Sequence, residues 1–143
     1  MRKNLALILI LFTSMCFYGC NKNNNEKCPV CLAPIDINSL SNKKIIDIVD
    51  NNDLEEGIFK IKTKTNDYIF FYGKNIDYID ISTNLENNIL IVSCNTTSST
   101  SKNKYLYLIR EQSTTSKNNS FYKNITLKIN NKQISFNKIY SLP

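Results

Sequence analysis

The chain has no histidine and no tryptophan, and its 143 residues include only three glycines and three prolines. Without histidine there is no imidazole to act as a general base. Ser-His-Asp and Cys-His nucleophile systems and every His-containing metal site are excluded with it. So little glycine and proline excludes collagen-like and proline-rich low-complexity chains. No Gly-rich phosphate loop and no G-x-S-x-G elbow occurs. Apolar residues, in contrast, are plentiful. At 42% hydrophobic and 21% charged, the composition can bury the core of one ordinary domain and is not that of a disordered chain.

The apolar residues begin with an uninterrupted run. Met1-Arg2-Lys3-Asn4 is a short basic start, and Leu5 to Tyr18 carries no charge. Gly19-Cys20 follows, and then the polar Asn21–Lys27. A basic start, an apolar stretch of this length and a small residue at its end predict a secretory signal peptide. The run is shorter than the roughly 20 residues that a spanning helix needs. Phe17-Tyr18-Gly19-Cys20 resembles a bacterial lipobox, in which a small residue precedes the cysteine. The resemblance implies cleavage between Gly19 and Cys20 and lipid on Cys20, with acyl chains such as palmitate holding the chain to the membrane. The Asn-rich residues after Cys20 suit a flexible tether. The expected organisation is a signal peptide over 1–19, the lipidated cysteine, tether and CPVC segment over 20–42, and a β-rich domain over 43–143. The expected location is the cell envelope, on the outer membrane if the cell is Gram-negative. That location makes nucleic acid an unsuitable partner.

Charge is unevenly spread. Residues 20–86 hold 8 Lys and 11 acids, net −3, and residues 87–143 hold 7 Lys and Arg110 against Glu111, net +7. Such asymmetry can mark a basic face for an acidic protein, anionic headgroups or an acidic glycan. Lys102 and Lys117, on two Ser/Thr/Asn-rich connections at 95–103 and 111–120, and Lys104, which opens the strand between them, are the candidates. Flanking strands paired as hairpins would put both connections at one end of a sheet. The competing reading is solvated lysines that keep strand edges from aggregating.

Of five cysteines, Cys16 leaves with the signal and Cys20 takes lipid. Cys28-Pro29-Val30-Cys31, with Cys94, admits three readings. Zinc would need two further ligands beyond the pair. A thioredoxin-like site should open a helix. A structural disulfide in an oxidising envelope fits best, with Cys28, Cys31 and Cys94 in undecided pairing.

From residue 43 the pattern is mainly period two. Predicted strands are 43–49, 58–64, 68–72, 76–81, 89–94, 104–110, 121–129 and 133–140. Ser41 could instead cap a short helix over the first of these. Asn130-Asn131-Lys132 reads as a hairpin turn, because Asn tolerates positive φ. The expected fold is all-β, a small antiparallel sandwich or barrel of about eight short strands.

Candidate catalytic groups are few. Asp50, Asp53, Glu55 and Glu56 crowd one turn, but their spacing is not that of an EF-hand, and acidic turns are commonly just solvated. Asp77 and Asp80 fall on opposite faces of a regular strand. Tyr68, Phe70, Phe71, Tyr72, Tyr78, Tyr105, Tyr107 and Phe121 could form a glycan or peptide platform, or simply core. The expected function is therefore non-catalytic and cofactor-free: binding of a protein, peptide or glycan at the envelope, in an inhibitor, immunity or assembly-accessory role. The competing expectation is a thiol-based redox or metal-handling lipoprotein that uses Cys28 and Cys31.

Overall fold

The computed structural model describes residues 29–111 and 120–143. Gly19, Cys20, Cys28 and Lys117 lie outside the described residues. The elements are β1 (Val30–Ile35), a 3-10 turn (Ile37–Ser39), α1 (Lys43–Val49), β2 (Gly57–Lys62), β3 (Asp67–Gly73), β4 (Ile76–Glu86), β5 (Ile89–Ser98), β6 (Asn103–Glu111), β7 (Asn124–Ile129), β8 (Lys132–Ile134) and β9 (Lys138–Ser141). They form an all-β sandwich. One sheet has five strands in the order β1-β6-β3-β2-β9, and the other has four in the order β4-β5-β7-β8. The sheets are mixed rather than purely antiparallel, because β2–β9 and β5–β7 run parallel.

The five-stranded sheet is buried on both faces, which explains its sequence. Its central strand β3 reads Tyr68-Ile69-Phe70-Phe71-Tyr72, a continuous apolar run of the kind expected for a strand with no solvated side. Ile69 and Phe71 enter the core between the sheets with Val30, Ile58, Leu90, Val92, Cys94 and Leu127. Phe70 and Tyr72 enter a second core with Phe59, Ile61, Leu106 and the helical residues Ile45 and Val49.

That second core corrects the strand expected over 43–49. Asn42, rather than Ser41, caps the segment, its side chain accepting from the Lys44 and Ile45 amides at 3.1 and 3.4 Å. Ile45 and Val49, four apart, then fall on one helical face and are buried. Isoleucine-rich residues have only middling helix propensity. Burial of this face against Phe59, Phe70 and Tyr72 decides in favour of the helix.

Three further expectations are revised. Residues 30–35 fall within the expected tether segment yet form β1, paired with β6 from Val30↔Glu111 to Ile35↔Leu106. Residues 133–140 are two strands in different sheets: β8 pairs with β7 and β9 with β2. The crossing is set by Asn137. Its Oδ1 accepts from the Ile58 amide at 2.9 Å, and its own amide donates to the Ile58 carbonyl at 2.8 Å. A side chain at Gly57 would occupy the space of the Asn137 amide group. In β4, Asp80 adopts φ 54 and the register shifts between Ile79 and Ser82. This bulge returns Ile81 to the core side with Tyr78, whereas strict alternation would have opposed them.

The expected hairpin is present. Asn130 and Asn131 have φ 48 and 64 and join β7 to β8. Asn87 and Asn88, φ 50 and 62, join β4 to β5 in the same way. Left-handed backbone strongly disfavours β-branched side chains. Asn131→Val should therefore lower the unfolding free energy by about 1–2 kcal/mol, and Asn131→Gly should leave it unchanged or slightly raised. Urea unfolding of the two variants checks this; a Val variant as stable as wild type would contradict the turn geometry.

Candidate functional site

The site begins where β1 stops. Pro34 is tolerated because β1 is an edge strand, and pairing with β6 ends at Ile35↔Leu106. Asp36 then caps the 3-10 turn, its Oδ1 accepting from the Asn38 amide at 3.0 Å. The chain swings away and leaves Lys104 and Tyr105 of β6 without a neighbour on that side. An open cavity of about 260 Å³ results, walled by Pro34–Asn38 and floored by Lys104–Tyr107.

Its polar groups are held in place by residues beyond it. The Lys104 ammonium lies 3.5 Å from Asp50 Oδ1, at the C-terminal end of α1, and 5.9 Å from the Tyr72 ring centre. Lys74 approaches the same ring at 5.8 Å. The Asp50 carboxylate is well exposed, so this ion pair is screened and weak. The Tyr105 hydroxyl donates to Asp77 Oδ1 at 2.8 Å. That hydrogen bond, followed by burial, raises the Tyr105 pKa. Burial raises that of Tyr107. Both tyrosines therefore stay protonated near neutral pH and offer hydrogen bonds rather than a phenolate nucleophile. The cavity lies at the sheet edge, with Lys104 on one face of β6 and Tyr105 and Tyr107 on the other, and its volume admits a side chain or a sugar ring.

Of the three lysines singled out by charge, Lys104 lines this cavity and Lys102 is exposed in the short β5–β6 loop. The two polar connections do not share an end. β5 and β6 belong to different sheets rather than forming a hairpin. β6 runs from Asn103 to Glu111, so one connection enters it at one end and the other leaves from the opposite end. Asp36 and Asn38 were not singled out by the sequence, although a D-x-N-S cluster after a proline is a turn and cap signal.

The cysteine candidates are dispersed. Cys94 is buried in the core between the sheets, and burial pushes its thiol up to about 11. Cys31 is half-buried on β1, where its register partner is Arg110. The two are free and not bonded to each other. Among the described residues, no group of three or more His, Cys, Asp or Glu is placed to hold a metal ion. No helix among them is long and apolar enough to cross a membrane.

Glu56, one of four crowded acids, has a specific place. Its Oε2 accepts from three successive amides, Lys74 at 2.7 Å, Asn75 at 2.8 Å and Ile76 at 3.3 Å. These bonds, that of Asn75 foremost, outweigh desolvation and lower its pKa. The carboxylate fills a backbone nest of the kind that binds anions. Of the aromatic candidates, Phe70, Phe71, Tyr72 and Tyr78 are core. Comparison with protein-family models, curated proteins and solved structures finds no match for this chain.

Proposed function

We propose that this chain is a lipid-anchored protein of the bacterial envelope whose β-sandwich acts by binding a protein, peptide or glycan. The anchoring rests on Gly19-Cys20 behind the apolar run. The observation that carries the binding half is the cavity between Pro34–Asn38 and Lys104–Tyr107. Its charged and hydrogen-bonding groups suit one inserted polar side chain or sugar ring. Val30 is ten residue steps on from Cys20, so the tether spans at most about 35 Å. A ligand of the domain would be met close to the membrane surface.

Growth with a clickable palmitate analogue tests the anchor. The wild-type chain should take up label and be cut before Cys20, and Cys20→Ala should abolish label and block processing. A Cys20→Ala chain that is still cut and still sediments with membranes would overturn the anchoring. A photo-crosslinking amino acid at Asn38 tests the binding half. It should give an adduct that Lys104→Glu weakens, with none from the same probe at Ile89 on the outer face of the other sheet. Equal adducts from both positions would overturn the assignment of the site.

A further inference from the structure

The tether enters at a defined end of the sandwich. Val30 pairs with Glu111, the last row of the five-stranded sheet. The β2–β3 turn at 63–66 lies at this same end, beyond Lys62↔Asp67. The four-stranded sheet is brought into line by cross-sheet bonds. The Tyr122 hydroxyl donates to Asp67 Oδ2 at 3.3 Å, and the Phe121 amide to Glu111 Oε2 at 3.3 Å. The Lys123 amide donates to the Asn88 carbonyl at 2.8 Å, which places the Asn87-Asn88 turn here as well.

This end is basic. It carries Lys60, Lys62, Lys64, Arg110 and Lys123 against Asp67, Glu86 and Glu111. Lys60 and Asp67 cancel one another in a 2.8 Å ion pair. Lys62, Lys64, Arg110 and Lys123 are exposed. The far end is mixed with an acidic excess, with Lys74, Lys102, Lys104, Lys128, Lys132 and Lys138 among Asp36, Asp50, Asp53, Glu55, Glu56, Asp77 and Asp80. We infer that the tether end of the domain lies against anionic phospholipid headgroups and the acidic end points away. The inference rests on the lipid-anchor reading, which brings this end within about 35 Å of the bilayer. At that distance this end of the domain is within reach of the surface. Each exposed cation is attracted to an anionic leaflet, and the attraction falls off within a Debye length. Acyl chain and basic surface would act as two signals that reinforce each other. The cavity, at the opposite end of β6, is then presented outward.

Amide hydrogen exchange of the full lipidated chain in vesicles tests this. Vesicles of phosphatidylcholine alone are compared with vesicles that also contain phosphatidylglycerol. Exchange at 63–66 and 87–88 should be several-fold slower on the anionic vesicles, and added salt should reverse the difference. Exchange at 74–76 should be alike on both. The triple variant Lys62→Glu, Lys64→Glu, Lys123→Glu should lose the difference, with unchanged exchange at 74–76 showing that it is folded. Equal exchange at 63–66 on both vesicles, protection at 74–76 instead, or a triple variant that keeps the difference would overturn the inference. Failure of the anchor reads differently: the wild-type chain would not float with phosphatidylcholine vesicles. Flotation with anionic vesicles, wild type against triple variant, would then still decide the charge effect.

Discussion

Phe71→Ala should lower the unfolding free energy by about 3–5 kcal/mol, through lost burial and the cavity left behind. The ring is fully buried in the core between the two sheets. It lies edge-on to Tyr78 of β4, with centroids 5.3 Å apart, and to Tyr107 of β6 at 5.7 Å. Such aromatic pairs contribute about 0.5–1.5 kcal/mol beyond area burial. Domains of this size are stable by about 5–15 kcal/mol in all, so the variant approaches its folding limit. Urea unfolding followed by tyrosine near-ultraviolet dichroism measures the loss, since the chain has no tryptophan. Phe71→Leu, which leaves less empty volume, should lose less than half as much. An Ala variant within about 1 kcal/mol of wild type would mean that this ring does not join the sheets.

Glu56→Ala should cost about 2–3 kcal/mol at neutral pH, because three amides lose a charged acceptor together. The affected turn has no slack. A side chain on Gly73 would collide with the Ile76 carbonyl, and the Ser99 amide is bonded to the Asn75 carbonyl at 2.9 Å. The effect depends on pH in a determined direction. The folded-state pKa of Glu56 lies below its ordinary value of 4.5. Its contribution is therefore complete above 4.5 and disappears as pH falls through the folded value. Wild type and Glu56→Gln should differ most at neutral pH and converge on acidification. Stability measured from pH 7 down to pH 3 checks this, and a gap that widens in acid would contradict it.

Much of the sandwich could be read in the sequence where each strand face meets one environment. The continuous apolar run of β3 and the Asn130-Asn131 turn report local conditions that composition and turn chemistry capture. β1 was illegible for the opposite reason. Val30–Ile35 contains Pro34 and no clean alternation, and its partner β6 is some eighty residues away. α1 was ambiguous because Ile45, Ile46, Ile48 and Val49 fit either element until the aromatic face of the sheet selects one. The site was half legible. Lys104 could be chosen for its charge, but Asp36 and Asn38 join it only through the β1–β6 register. Glu56 looked like one acid of four, since nothing local distinguishes the carboxylate that meets three amides eighteen to twenty residues later.

The pairing of β9 with β2 bears on how the protein is made. Asn137 reaches back 79 residues to Ile58, and the parallel register Phe59↔Lys138 to Lys62↔Ser141 closes the edge of the five-stranded sheet. Until residue 141 has been synthesised, β2 remains an open edge and the crossing between the sheets has no fixed point. Contacts between such distant residues form slowly, because the loop must close before any bond is gained. β2 can pair with its neighbour β3 early, but its second flank waits for the last strand of the chain. The same late strand seals that edge once the whole domain has been made.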